Sequence, residues 1–288
     1  MHSAILRTLV YADIFDYPLT ASEIHQRLIG HSGSLNSIKK SLKNNNKVDY
    51  KNSFYFLKGR QEIVAKRRKR QIISRGKLNY AKRVGKWLKI FPTIQAVLIT
   101  GTISVANATA RDDIDILIIT KANSLWTTRL LVNTILDILS LRRRPNTQQL
   151  DNKLCLNIWI DISTLSVKKS QRNLYSAHEV IQTKPLWDRN NTHSKFLAAN
   201  SWVKDYLPNA SKELSLTEGL AESQRVTAKL EGASLLENLT YQLQLKYMKS
   251  KKTREKITQH SAFFHPRNLA PTIMQKYRQR LKKLGIHD

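Results

Sequence analysis

Two aspartates occur inside an apolar segment of the chain, at Asp113 and Asp115 of the run 113–119. The run is too short for a typical helix and does not alternate polar with apolar residues, so it predicts a buried strand. Side chains two residues apart on a strand point to the same face, so both carboxylates can bind one cation. Because an unpaired buried carboxylate is costly, a shared divalent cation would stabilise the pair.

A second apolar run, residues 97–99, ends in Thr100, Gly101 and Thr102. A glycine after a strand permits a tight turn whose backbone N–H groups can contact phosphate oxygens, and the Thr102 hydroxyl adds a further donor. Together the turn and the acids predict a site for a metal ion and a polyphosphate. The plain alternative is a strand end whose carboxylates are solvated or paired with arginine.

The order Gly101-Thr102, ten intervening residues and Asp113-Ile114-Asp115 resembles the signature of the DNA polymerase β-like nucleotidyltransferase superfamily. The resemblance implies a sheet-based core that uses Mg²⁺ to transfer a nucleoside monophosphate from a nucleoside triphosphate to an acceptor. At the matching positions, Gly101 and Thr102 would hold the triphosphate, and Asp113 and Asp115 would bind the metal. The whole chain is also similar to an uncharacterised bacterial branch of such proteins that carries an amino-terminal winged helix.

The chain departs from this family pattern at two places. Ala106 stands where relatives often have a second glycine, which favours a stiffer or narrower loop. The third acid, which relatives carry on a neighbouring strand, is matched by Asn157 or by Asp161 of the strand predicted at 154–161. We take Asp161 as the candidate catalytic acid in a supporting role, although it lies roughly 13 Å along the strand from Asn157. Strict alternation would place Asn157 and Asp161 on one face and Leu156, Ile158 and Ile160 on the other.

The 288 residues include 49 Lys and Arg against 21 Asp and Glu, which gives a formal net charge of +28. Such a field attracts polyanions, so nucleic acid is a candidate partner beside the nucleoside triphosphate and an unidentified acceptor. Cys155, the only cysteine, excludes an intramolecular disulfide and is expected to be a buried, inert thiol. The sequence has no leader pattern and no apolar run of membrane-spanning length, so we expect a cytoplasmic protein.

We predict an α+β fold with four parts. Residues 1–60 form a winged-helix-like domain, with three helices and a hairpin wing near 48–57, and its third helix carries outward lysines better suited to phosphates than to bases. Residues 61–93 form a linker helix. This helix is basic, because no acidic residue occurs from 63 to 111. Residues 94–165 form a small mixed-sheet nucleotidyltransferase core, and residues 166–288 form a helical substrate or packing domain.

The pattern also predicts how individual helices begin, end and pack. Ser124 should cap a helix after the acid-bearing strand, and Pro145 should end the segment that follows it. The apolar stripe of this helix should consist of Leu130, Leu131, Ile135, Leu136 and Leu139. Leu236, Leu239, Leu243 and Tyr247 recur at helical spacing in the carboxyl-terminal region. His265-Pro266 predicts a turn.

The leading hypothesis is a Mg²⁺-dependent nucleotidyltransferase in which an acceptor hydroxyl attacks the α-phosphate of a nucleoside triphosphate and pyrophosphate leaves. Ala106 and Asn157 favour a second hypothesis, a DNA-binding regulator whose nucleotidyltransferase fold is degenerate. A third is an antitoxin-like enzyme that nucleotidylates a partner protein.

Overall fold

The computed structural model describes residues 1–144, 151–210, 235–249, 256–264 and 269–286. The predicted stop at Pro145 and the predicted turn at His265-Pro266 lie outside these residues. Among the helices of the described residues, none combines the length and the apolar character that a bilayer crossing requires.

Six strands form one mixed sheet, and two more form a separate hairpin. The strands of the described residues are β1 Val48–Lys51, β2 Phe54–Leu57, β3 Ile94–Ile99, β4 Ile114–Thr120, β5 Leu154–Asp161, β6 Lys184–Asp188, β7 Lys256–Ile257 and β8 Ser261–Phe263. The order in the large sheet is β6-β3-β4-β5-β8-β7, in which β4 and β5 are parallel and the other neighbours are antiparallel. The predicted α+β class with a mixed central sheet is confirmed.

Ten α-helices are present in the described residues. They are α1 His2–Asp13, α2 Ala21–Gln26, α3 Leu35–Lys43, α4 Glu62–Leu88, α5 Gly101–Ser104, α6 Leu125–Ile138, α7 Leu174–Ile181, α8 Thr192–Ala198, α9 Leu235–Lys249 and α10 Leu269–Lys283. One helix, α4, spans most of the segment predicted as a basic linker. The carboxyl-terminal region is not only helical as predicted, because β6, β7 and β8 extend the sheet on both sides.

The large sheet separates two apolar cores. On one face, Leu117 and Ile119 of β4 pack with α1, α7, α8 and α10, and we call this the first core. On the other face, Ile114, Ile116 and Ile118 of β4 pack with α4 and α6, and we call this the second core. Both faces of β4 are therefore covered by helices, which explains its almost unbroken apolar sequence.

The amino-terminal segment contains the three helices and the antiparallel hairpin that the sequence predicts. Its assignment as a winged helix stays a prediction. The segment packs closely against the rest of the chain, because Val10, Tyr11 and Ile29 belong to the first core. Asn209 also donates a hydrogen bond to the carbonyl of Gly33 at 3.0 Å.

The apolar residues that recur at helical spacing in α6 and α9 are mostly exposed. In α6, Leu131 and Ile135 are half exposed, while Val132 and Leu136 are buried. In α9 the apolar residues at helical spacing, Leu236, Leu239, Leu243 and Tyr247, are exposed. Three polar residues of the same helix, Glu237, Thr240 and Gln244, are buried against α6 instead. Periodicity locates a helix but does not identify its buried face when apolar residues occur on both sides.

A carboxylate from α9 caps α6. Ser124 is the N-cap residue as predicted, yet its side chain makes no capping hydrogen bond. Glu237, which is 1% exposed, instead accepts hydrogen bonds from the backbone N–H groups of Trp126 at 2.7 Å and Thr127 at 2.9 Å. A negative charge at this helix end also interacts favourably with the helix dipole.

Replacing Glu237 with alanine should therefore lower the free energy of unfolding by about 3 kcal/mol, because two buried N–H groups lose their acceptor. Glutamine at this position retains one acceptor oxygen and should cost about half as much. Urea unfolding measures both values. Asn238→Ala, a change at the neighbouring exposed position, is the matched control. A loss no larger than that of the control would contradict the capping role.

Candidate active site

The acid pair lies at the amino-terminal end of β4. Asp113 immediately precedes the strand, and Asp115 is its second residue. Carboxylate oxygens of both residues and the Sγ atom of Cys155 lie within 4.8 Å of one another. Cys155 reaches the pair because it is directly opposite Asp115 in the parallel register of β4 and β5.

The glycine turn lies directly against this cluster. Gly101 has a φ of +60°, and a Cβ atom there would lie 2.6 Å from Oδ2 of Asp115. The backbone N–H of Thr100 also donates to the carbonyl of Asp115 at 3.0 Å. Glycine is thus required twice, by its left-handed backbone and by the close approach of a carboxylate.

A register shift in β5 determines what else meets the acids. Between Asp115 and Leu117, β4 advances by two residues while β5 advances by three, from Cys155 to Ile158. This bulge places both Asn157 and Ile158 on the acid-bearing face, since Ile158 packs against the first core. The predicted strict alternation along β5 is therefore wrong after Asn157.

Asn157 is tied to the acid pair by one end of its amide. Its Nδ2 donates to Oδ1 of Asp115 at 2.5 Å. Its Oδ1 is buried and has no hydrogen-bond partner among the described residues. A buried acceptor without a partner is rare in folded proteins, so this oxygen suits a ligand.

Asp161 does not join the cluster. It is fully buried at the other end of β5, opposite Thr120, and the bulge places it on the opposite face from Asn157. Its carboxylate pairs with His260 at 2.8 Å and accepts a hydrogen bond from the backbone N–H of Ser163 at 2.9 Å. Asp161 therefore caps the short 3₁₀ helix Ile162–Thr164 and pairs with His260, at the opposite end of β5 from the acid cluster.

An arginine contacts the acid pair. Nη1 of Arg143 lies 2.5 Å from Oδ2 of Asp113. The backbone N–H of Arg143 donates to the carbonyl of Leu154, which positions the arginine beside β5. The adjacent Arg142 and Arg144 both pair with Asp137 near the end of α6.

The loop between the glycine turn and the acids is organised by a third aspartate. Asp112 accepts hydrogen bonds from the hydroxyl of Thr102 at 3.1 Å and from the N–H and hydroxyl of Thr109 at 2.9 Å and 2.7 Å. Nζ of Lys77 on α4 donates to the carbonyl of Asp112 at 2.6 Å. Ala106 within this loop has a φ of +56°, which explains why glycine suits the position.

The amino-terminal segment holds the same loop from the other side. The hydroxyl of Tyr17 donates to the carbonyl of Val105 at 2.6 Å, and the amide of Asn107 donates to the carbonyl of Phe15 at 3.1 Å. Sequence periodicity contains no sign of these contacts, because they join segments far apart in the chain. Contacts from α4 and from the segment after α1 therefore stabilise the loop that follows Gly101, the turn predicted to bind phosphate.

The acids lie in a negative, poorly solvated environment. Burial raises the pKa of Asp115 to about 7, and the charge of Asp113 contributes to the same rise. Glu179 of α7 adds to the same repulsion, and burial raises its own pKa to about 7. Sequence reasoning missed Glu179, because only the packing of α7 against the first core brings it near β4.

Cys155 differs from its expected state. Its side chain is only partly buried, and its Sγ atom lies within 4.8 Å of a carboxylate oxygen of Asp113. Burial, followed by the charges of Asp115 and Asp113, raises the pKa of this thiol far above its ordinary value. The thiol belongs to the acid cluster and is not a filler of either core.

These residues fit a divalent cation. The two carboxylates offer the hard oxygen ligands that Mg²⁺ prefers. A cation would also relieve the repulsion that raises the pKa of Asp115. The thiol is the one member of the cluster that Mg²⁺ does not favour.

A basic surface lies beside the site. Arg68, Arg75, Lys82, Lys86 and Lys89 are exposed along one side of α4. This line extends roughly 32 Å at the rise of an α-helix. A cleft of about 600 Å³ separates α4 from the loops that precede β4 and β5, and Lys77, Arg83 and Lys153 are among its lining residues.

No protein-family model and no curated protein matches the chain. Among solved structures, the chain is similar to one described as "Crystal structure of the toxin-antitoxin with AMP-PNP". The match has 17% sequence identity and covers 55% of this chain and 98% of that chain, with a TM-score of 0.22.

Proposed function

We propose that the protein is a Mg²⁺-dependent nucleotidyltransferase that moves a nucleoside monophosphate from a nucleoside triphosphate to an acceptor hydroxyl. One observation carries the proposal: the Gly101 turn lies against the carboxylate of Asp115, in a cluster with Asp113. A phosphate-binding turn and a metal-binding pair must be adjacent for one ion to contact a bound triphosphate.

Each residue of the cluster has a role in this proposal. Asp113 and Asp115 hold the metal, and Gly101 and Thr102 position the triphosphate. The chemistry that Mg²⁺ supplies when bound is the neutralisation of charge on phosphate oxygens. The acceptor oxygen forms a bond to the α-phosphorus, the bond to pyrophosphate breaks, and the hydroxyl proton leaves to solvent. Asp161 is left with a structural role.

Arg143 gains a second role in the same proposal. Its guanidinium forms an ion pair with Asp113. Once a cation takes over this charge, the guanidinium is available for the phosphate oxygens, which it suits as a fork of parallel donors.

The acceptor is unidentified, and nucleic acid is the candidate that the basic surface supports. The exposed line carries five positive charges, and α4 also contributes Lys77 and Arg83 to the lining of the cleft. Contacts of this kind follow a phosphate backbone without reading its sequence.

The test is label transfer from each α-labelled nucleoside triphosphate, with Mg²⁺ and a cell extract as the source of acceptors. Asp113→Asn should reduce transfer by on the order of 10³-fold, because the lost ligand contributes several kcal/mol of transition-state stabilisation. Asp49→Asn, at an acid of the hairpin, is the control and should transfer normally.

Nuclease or protease treatment of the labelled product then identifies the acceptor class. Protease-sensitive label would assign the acceptor to protein and remove the nucleic-acid role of α4. Equal labelling by wild type and Asp113→Asn would overturn the proposed function. Salt-dependent DNA binding without any transfer would favour a DNA-binding regulator instead.

A further inference from the structure

Four polar side chains face one another across the two parallel strands β4 and β5. Asp113 and Asp115 come from the β4 side, and Cys155 and Asn157, also two residues apart, come from β5. The first three supply ligand atoms that all lie within 4.8 Å of one another. The fourth, Asn157, contacts Asp115 directly.

The chemistry of this set is mixed. Carboxylates bind hard and borderline cations alike, whereas a thiolate strongly favours soft or borderline ions such as Zn²⁺ over Mg²⁺. Ligand atoms around one tetrahedral zinc ion are about 3.3 to 3.8 Å apart, given bond lengths of about 2.0 to 2.3 Å. The three ligand atoms of Asp113, Asp115 and Cys155 lie within 4.8 Å of one another, about 1 Å above the upper end of this range.

Asn157 provides a second, independent observation. The residue is 2% exposed, and its Oδ1 has no hydrogen-bond partner among the described residues although Nδ2 of the same amide contacts Asp115. A half-turn of the amide exchanges the two atoms and places the oxygen toward the cluster. The amide can therefore change from a donor to Asp115 into an additional oxygen ligand.

We propose that Cys155, Asp113 and Asp115 bind Zn²⁺ in preference to Mg²⁺, with Asn157 as an additional oxygen ligand. The inference deepens the proposed function, because it concerns the cation of the same site. The thiol proton leaves to solvent as the zinc–sulfur bond forms. The guanidinium of Arg143 moves from Asp113, since the ion replaces its positive charge.

The experiment uses the full chain without nucleotide and Cd²⁺ as a spectroscopic substitute for Zn²⁺. A thiolate bound to Cd²⁺ has an ultraviolet charge-transfer band, and only Cys155 can produce it because the sequence has one cysteine. We expect a saturable band that persists in a large excess of Mg²⁺ and disappears when Zn²⁺ is added. We also expect Zn²⁺, but not Mg²⁺, to protect the thiol from alkylation.

Two variants separate the site from adventitious thiol binding. Cys155→Ser should abolish the band, and Asp115→Asn should weaken Cd²⁺ binding while the thiol remains present. An unchanged affinity in Asp115→Asn would show a lone thiol–metal contact and overturn the proposal. So would removal of the band by Mg²⁺.

The outcomes distinguish this inference from the proposed function. Absence of the band together with Mg²⁺-dependent label transfer would overturn the zinc preference alone. A saturable band without label transfer under any metal would support the metal site and overturn the transferase.

Discussion

Asp115→Asn is expected to stabilise the metal-free protein at pH 8 by about 2 kcal/mol while it abolishes label transfer. The carboxylate is buried and lies beside the charge of Asp113, so its charged form is disfavoured. Raising its pKa from the ordinary 3.8 to about 7 corresponds to about 4 kcal/mol, and partial solvent access reduces this to about 2 kcal/mol. The neutral amide removes this repulsion without changing the shape of the side chain.

The sign of the pH dependence follows from the raised pKa. The folded state binds a proton at Asp115 more tightly than the unfolded state does. The contribution of Asp115 to the free energy of unfolding is therefore fully present below about pH 4 and is lost as pH rises through about 7. The difference between Asp115→Asn and wild type should therefore be small near pH 4 and complete at pH 8. Buried His178, whose pKa burial lowers to about 3, opposes this trend on acidification, but it cancels in the difference.

Urea unfolding at pH 5, 6, 7 and 8, in chelator, measures the effect. Asp161→Asn is the matched control, because the same change there removes a fully buried carboxylate that is paired with His260 and accepts N–H bonds. That variant should lose stability at every pH. If Asp115→Asn were destabilised like Asp161→Asn, Asp115 would be a structural acid and the metal role would fail.

Gly101→Ala is expected to lower stability by about 3 kcal/mol and label transfer by about 100-fold or more. The new Cβ would meet Oδ2 of Asp115 at 2.6 Å, and the backbone would be held at a φ of +60°. The left-handed conformation costs about 1 kcal/mol, and the displaced carboxylate adds the larger part. A displacement near 1 Å in a reacting site is enough to cost about 100-fold in rate.

Gly59→Ala separates the cost of the left-handed backbone from the cost of the clash with Asp115. Gly59 has a φ of +82°, and a Cβ there would meet no atom within 4 Å. Its substitution should cost only about 1 kcal/mol of stability and leave transfer unchanged. Unfolding and label transfer, measured in parallel, give the comparison. Equal stability losses and normal transfer in both variants would show that the contact between the turn and Asp115 is unimportant.

The amino-acid sequence alone was enough to locate the strands on either side of the glycine turn and the helix α4. Apolar runs bounded by glycine or charge are local patterns, and the chain forms β3 and β4 where they predict strands. The proximity of Gly101 to the acids follows from two adjacent antiparallel strands joined by one connection.

The partners of the polar side chains could not be read in this way. Arg143 contacts Asp113 because the path of the chain after α6 returns to β5. Glu237 and Glu179 come from helices distant in sequence, and only packing brings them to α6 and to the acid pair. Side-chain pairing of this kind depends on long-range contacts that no spacing rule contains.

The sequence by itself determined the α+β class, the position of the turn and the acid pair, and the strong positive charge, since these depend on residue type and short spacing. The tertiary structure decided which face each residue occupies. The bulge in β5 inserts one extra residue, which reverses the alternation of side chains along the strand. Asn157 therefore lies on the same face as the acid pair, and Asp161 lies on the opposite face. Burial likewise depends on the neighbour that covers a surface, which is why α9 buries Glu237 and exposes its leucines.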